Sequence, residues 1–207
     1  MPTRCFTLPA LALLLVLAGA AGCCCGKVEY VDPNSNEGLT TVQGIDFQDW
    51  GNAATQMTNA LLASGTLDRT DGRKNVIMVS KIENKTHEHI DTDLLLKKIR
   101  IALNESGKAV TTTAVGIGGP EDEASMGVRD LRKSDEFDQS TTQPKGAMKA
   151  PDFSLSGKII EMRTAAGSTK QSAFAFQLSL TDLKTGTAPW EKEVNIIKKG
   201  KKAGVGW

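Results

Sequence analysis

The hydrophobic pattern of the first half of the chain predicts two amphipathic helices. The first follows Asp46, whose carboxylate can cap a helix. Its apolar residues recur at steps of three and four: Phe47, Trp50, Ala54, Met57 and Leu61. The second begins at Asp91 and ends at Gly107, with Lys97, Lys98 and Arg100 expected to face water. Its apolar residues are Leu94, Leu95, Ile99, Ala102 and Leu103. Stripes of this kind are more typical of a core than of a ligand site.

Four further segments have strand patterns. Residues 76–79 form a continuous apolar run, which predicts a central strand covered on both faces. Residues 108–115 predict a second, more polar strand. Residues 153–159 and 174–180 alternate between apolar and polar side chains, so we expect two strands that each bury one face.

The C-terminal part predicts a β-hairpin. The turn Asp182-Leu183-Lys184-Thr185-Gly186 joins the preceding strand to residues 188–197, where Pro189 favours an edge position because it lacks a backbone donor. Between the strands predicted at 108–115 and 153–159, residues 121–133 are a weaker helix candidate and residues 134–150 form a long insertion. These elements predict an α/β sandwich, with a mixed sheet flanked by helices and an antiparallel C-terminal hairpin.

The N-terminus has the pattern of a secretion signal. Arg4 precedes an apolar run over residues 8–21 that would extend for roughly 21 Å as a helix, short of a membrane span. The run ends at Ala20-Ala21-Gly22-Cys23, which resembles a bacterial lipobox although Ala20 stands where Leu is usual. In that interpretation Cys23 is the lipid-attachment residue and carries diacylglycerol and palmitate. An ordinary secretory signal is the alternative.

These boundaries predict three segments: a signal peptide over residues 1–22, a lipidated N-terminus and short linker over 23–44, and a globular domain over 45–207. Cys24 is not the Asp that in lipoproteins of this kind signals retention at the inner membrane. We therefore expect anchoring in the outer membrane, facing the periplasm. The remaining cysteines are Cys5 and Cys25, so no disulfide can form within the globular domain.

Composition argues against several classes of function. The net charge is +1 and aromatic residues make up 5%, which argues against nucleic-acid binding. The sequence has two histidines, His87 and His89, so few residues are suited to acid–base catalysis or metal binding. We expect no catalytic residue, no metal, no cofactor and no small-molecule substrate, and hence no enzyme.

Several segments carry candidate chemistry, but each has a plainer interpretation. His87-Glu88-His89 could form a weak metal site, although a solvated loop is favoured. Residues 116–119 resemble a phosphate-binding loop, but Glu121-Asp122-Glu123 would repel phosphate there, so we expect a turn with acids at a helix N-terminus. Residues 198–207 hold four lysines, either as a basic strip for an anionic polymer or acidic partner, or as a solvated tail.

Taken together, the predicted elements resemble the penicillin-binding protein activator LpoB family. The resemblance extends from about residue 45 to 207, and the Asp-Leu-Lys-Thr-Gly turn followed by a tryptophan is its most specific feature. The segments that carry it are residues 49–50, 76–86, 94–103 and 180–186, with Trp190. Related lipoprotein domains with CsgG-like and TolB N-terminal-like folds share similar hairpins.

The resemblance implies an outer-membrane lipoprotein that binds a class A penicillin-binding protein and activates peptidoglycan synthesis without being catalytic itself. One departure is the linker, because better-known members have a much longer, proline-rich tether. Here Cys23 and Ile45 are 22 residue steps apart, so the segment between them extends for at most about 75 Å. The alternative is a structural or adaptor subunit of an outer-membrane assembly or secretion complex. The resemblance does not identify the partner-binding residues.

Overall fold

A computed structural model describes residues 31–32, 44–116 and 121–201. The chain divides into two compact units, residues 1–31 and 32–207, and every element below belongs to the second. The helices are α1 (Phe47–Ala63), α2 (Thr92–Glu105) and α3 (Ala124–Asp130), the last followed by a 3₁₀ turn at Leu131–Lys133. The strands are β1 (Asn75–Lys85), β2 (Ala109–Thr112), β3 (Phe153–Ala166), β4 (Thr169–Asp182) and β5 (Trp190–Lys201).

The five strands form one mixed sheet in the order β2-β1-β3-β4-β5. β1 is parallel to β2 and β3, whereas β3, β4 and β5 are antiparallel to their neighbours. The mixed sheet, its helices and the C-terminal hairpin confirm the predicted fold class. β5 lies at an edge of the described sheet, as the position of Pro189 predicted.

The core lies on one face of the sheet, which we call the covered face. Both α1 and α2 contribute to a single cluster with alternate residues of the strands. Its strand members are Ile77, Ile82, Ala109, Leu155, Ile159, Phe174, Phe176, Leu178, Leu180, Trp190 and Val194. Every member lies between Trp50 and Val194, so this cluster falls entirely within residues 32–207.

β1 corrects one expectation. Val76 and Ile77 are buried, but Met78 and Val79 are only half-buried, so the strand is not fully covered on both faces. The reason is that the side chains of α1 and α2 join strand residues of one face only. A register shift between Val79 and Ile82 then brings Ile82 to the covered face.

Local signals place the ends of the elements. Asp91 accepts a hydrogen bond from the Asp93 backbone N–H at 2.9 Å and so caps α2, while Gly107 has a φ of +73° just beyond its end. The Asp46 backbone N–H donates to Asp49 at the start of α1, at 2.8 Å. Residues 134–150 form no helix or strand, in agreement with the predicted insertion.

Candidate partner-binding face

The opposite face of the sheet, here called the open face, carries an exposed group of apolar side chains. Cross-strand pairing aligns Met162 with Ala173 and Ala173 with Ile197. Met162 and Ile197 are each 63% exposed. With the neighbouring pair Ile160 and Ala175, these residues form what we call the apolar patch. Exposed apolar patches commonly mark surfaces where proteins bind partners.

The rest of the open face is polar. A shallow depression of about 570 Å³ is lined by Ser80, Lys81, Glu83, Ser156, Gly157, Lys158, Gln177, Ser179 and Glu191. Some of its polar groups already have partners: Ser80 shares a hydrogen bond of 2.7 Å with the neighbouring Ser154, and Ser179 donates to Glu191 at 2.8 Å. The depression therefore offers hydroxyl, amide and charged groups to a polar ligand or protein surface.

Charge is unevenly distributed along β5 on this face. Glu191 and Glu193 lie near its start, whereas Lys199 and Lys201 lie near its end and are exposed. Gln177 and Asn195 donate hydrogen bonds to Glu193, at 2.6 and 2.8 Å, and these bonds lower the pKa of its carboxyl group. Glu193 is thus held as an anion.

The histidine segment takes part in a side-chain network. His87 donates its backbone N–H to Glu161 at 2.9 Å, and its Nδ1 lies 3.0 Å from the same oxygen. Arg163 donates to the other oxygen of Glu161 and lies 3.5 Å from Glu88. The Glu161 side chain is fully buried, so the network ties the loop after β1 to β3. Sequence reasoning missed Glu161.

The acidic segment near α3 has a structural role. Asp122 accepts a hydrogen bond from the Ala124 backbone N–H at 3.0 Å, at the start of α3, as expected for an acid at a helix N-terminus. Glu121 forms an ion pair with Arg100 of α2, which is only 9% exposed. The expectation that Arg100 faces water is therefore wrong, because Glu121 supplies a partner for the buried guanidinium. Gly116 precedes this segment, and residues 117–119 of the candidate phosphate loop lie outside the described residues.

The C-terminal lysines separate into two groups. Lys198 lies on the covered face, 2.5 Å from both Asp46 and Asp49 at the start of α1, and contacts the Gly44 carbonyl at 2.9 Å. Burial alone would lower the pKa of Lys198, but the hydrogen bonds to the two carboxylates outweigh it and raise the pKa. Lys198 is thus structural and not part of a basic strip, whereas Lys199 and Lys201 are exposed. Residues 202–207 lie outside the described part.

Cys23 and the predicted signal peptide also lie outside the described residues. No helix in the described ranges is long and apolar enough to cross a membrane. Within the same ranges, no three His, Cys, Asp or Glu side chains are grouped so that they could hold a metal ion.

Comparisons with known proteins identify the family. A family model described as the peptidoglycan-synthase activator LpoB matches residues 49–196. Among solved structures, the LpoB C-terminal domain from Escherichia coli is 15% identical with a TM-score of 0.41, over 72% of this chain and 98% of that chain. Lipoprotein GNA1162 from Neisseria meningitidis is 13% identical with a TM-score of 0.38, over 63% and 88%. No curated protein matches the sequence.

The family model covers most of the globular part, from within α1 to within β5. It therefore includes every member of the core cluster and most of the apolar patch, but it ends one residue before Ile197. The protein belongs to the LpoB family of peptidoglycan-synthase activators.

Proposed function

We propose that the protein is an envelope lipoprotein that binds a class A penicillin-binding protein and activates its synthesis of peptidoglycan. The observation that carries this proposal is the match of the LpoB family model to residues 49–196. Activation by contact requires that the domain bind the active conformation of the synthase more tightly than the inactive one. The protein needs no catalytic residue of its own for this task.

We place the anchor at Cys23. A thiolate is a strong nucleophile and can accept a diacylglyceryl group, and small residues such as Ala21 and Gly22 give a peptidase access. Each buried CH₂ of an acyl chain contributes about 0.8 kcal/mol, so several chains hold a protein firmly at a membrane. Residues 23–44 would then tether the domain to the outer membrane.

The apolar patch is the surface that we propose contacts the synthase. Met162 and Ile197 project from paired strands of 14 and 12 residues, so they can enter a partner's pocket without ordering a loop. The polar depression beside them supplies hydrogen-bonding groups for the rim of such an interface. The covered face is occupied by α1 and α2 and cannot serve in this way.

The proposal can be tested with residues 32–207 and a purified class A synthase from the same cell. The unmodified domain should increase the rate of glycan polymerisation and bind the synthase. M162D should reduce both effects by about tenfold or more, because it places a charge in the centre of the interface. M126D is the matched control, since Met126 is 49% exposed on α3, outside the proposed surface.

Two results would contradict the proposal in different ways. If the unmodified domain leaves polymerisation unchanged at saturating concentration, the proposed function is wrong. If that domain stimulates the synthase and M162D stimulates it equally, the function stands and the surface is wrong.

The anchor has its own test in the full chain. Mass spectrometry of the processed protein should find acyl groups on Cys23, and C23A should remain unprocessed and unacylated. C24A changes a neighbouring cysteine and should be processed normally. A mature N-terminus with an unmodified Cys23 thiol would rule out the lipid anchor.

A further inference from the structure

The outer edge of β5 offers hydrogen-bonding groups to a further strand. In the described part of the chain β5 pairs with β4 alone, and that pairing runs over all 12 residues from Trp190 to Lys201. An edge strand exposes a row of backbone N–H and C=O groups, which can pair with a strand of another chain. Charged residues normally discourage such pairing, so their arrangement decides which strand can bind.

The open-face residues of β5 have a self-complementary order. From start to end they are Glu191, Glu193, Asn195, Ile197, Lys199 and Lys201. Two anions are thus followed by two uncharged side chains and two cations. A strand with this order repels a parallel, in-register copy of itself, because each charge would face its own sign. It attracts an antiparallel copy.

We propose that β5 pairs antiparallel with β5 of a second copy of this chain, with a twofold axis at Ile196. In this register Glu193 faces Lys199 of the second copy and Glu191 faces Lys201, and by symmetry each pair occurs twice. Ile197 faces Asn195 of the second copy. Opposite charges placed directly across an antiparallel pair are stabilising.

The covered-face residues of β5 permit the same register. Lys192 faces Gly200 of the second copy, and Lys198, already neutralised by Asp46 and Asp49, faces Val194. No two like charges stand opposite each other. A displacement by two residues in either direction keeps the faces matched but halves the number of opposite-charge pairs. The charges therefore specify one register.

The dimer would contain a continuous sheet of ten strands. Because the twofold axis is perpendicular to the sheet, the helices of both copies lie on one side and both open faces lie on the other. Ile197, which is 63% exposed in the single chain, gains Asn195 of the second copy as a cross-strand neighbour on the open face. The two apolar patches then lie side by side and form one larger surface. This inference does not depend on the identity of the synthase.

The charge order provides a direct test with residues 32–207, which contain the whole core cluster described above. Sedimentation equilibrium should show an average mass that rises with protein concentration towards twice that of the single chain. E193K and K199E should each weaken the dimer by about tenfold or more, because each converts two attractions into two repulsions. The double variant E193K/K199E should restore wild-type affinity. K184E makes the same charge change in the β4–β5 turn and should have no effect.

Cysteine cross-linking tests the register. Residues 32–207 contain no cysteine, so introduced thiols have no competitor. E193C mixed with K199C should form a disulfide between chains on mild oxidation, whereas E193C mixed with K201C, one two-residue step out of register, should do so far less. A single-chain mass at every concentration, a dimer that E193K does not weaken, a double variant no better than the single ones, or equal cross-linking of both mixtures would overturn the proposal.

Discussion

The two faces of β4 have opposite tasks although their residues alternate along one strand. On the covered face lie Phe174, Phe176, Leu178 and Leu180, all buried, and on the open face lie Ala173, Ala175, Gln177 and Ser179, all half-buried. The large side chains of the first set contribute to the core, whereas the small and polar side chains of the second leave the sheet surface open. One strand thus contributes both to the core and to the proposed binding surface, and substitutions one residue apart should separate these two roles.

The largest expected difference in unfolding free energy is between substitutions at Phe176 and at Gln177. Phe176 is 1% exposed and contacts Trp50 edge-on, with ring centroids 5.5 Å apart. F176A should lower the free energy of unfolding by about 3–5 kcal/mol, because it leaves a cavity between the sheet and α1. Q177A, on the open face, should lower it by about 0.5 kcal/mol or less. Urea denaturation measures both, and similar losses for the two variants would show that the faces do not differ in this way.

The covered face also contains a cluster of ion pairs that we expect to stabilise the protein. Lys198 bridges β5 to Asp46 and Asp49, and the three side chains are between 12% and 16% exposed. K198M should cost about 2 kcal/mol of unfolding free energy, because it leaves two carboxylates close together without a cation. K199M changes the next residue, on the open face, and should change the unfolding free energy little. Equal stability of K198M and the wild type would show that the ion pairs are dispensable.

Substitution of Gly157, where β3 and β4 approach each other closely, should have a smaller effect on stability. A Cβ at Gly157 would contact the Gln177 carbonyl oxygen too closely and would lie 2.7 Å from Leu178 Cδ2, so G157A should destabilise the protein by about 1–2 kcal/mol. G127A is the control, since nothing lies within 4 Å of a Cβ there and alanine favours helix. It should stabilise α3 slightly. Denaturation curves in which G157A is as stable as the wild type would contradict the packing.

The apolar pattern predicted most of the covered face. The stripe from Trp50 to Leu61 and the alternation over residues 174–180 identified core positions correctly, because burial of a large apolar side chain depends mainly on its own chemistry. The turn at residues 182–186 was also predictable. There Asp182 accepts a hydrogen bond from the Lys184 backbone N–H at 2.7 Å, and Gly186 adopts a φ of +72°.

Buried polar residues were not predictable in the same way. Arg100 was expected in water, Glu161 was not expected to be buried, and Lys198, which is half-buried, was expected in an exposed strip or tail. Burial of each depends on a partner distant in sequence, such as Glu121 for Arg100 or Asp46 for Lys198, and periodicity carries no signal for such pairs. The strands β3 and β4 also extend beyond the predicted ranges, because their polar ends are held by pairing with each other.

The smallest predicted effect is a pH dependence at Glu161, where the covered face meets the loop after β1. Burial alone would raise the pKa of Glu161, but hydrogen bonds from Arg163 and His87 outweigh it and hold the pKa below its ordinary value of 4.5. Besides Arg163, the network contains one more charged side chain, Glu88, which lies 3.5 Å from Arg163. A lowered pKa in the folded state means that ionised Glu161 contributes stability above pH 4.5, and that this contribution is lost as the pH falls through the folded-state pKa. We expect E161Q to be less stable than the wild type at neutral pH and the difference to narrow on acidification below pH 4.5. Urea denaturation at a series of pH values measures this, and a constant difference would mean that Glu161 acts through packing and not through its charge.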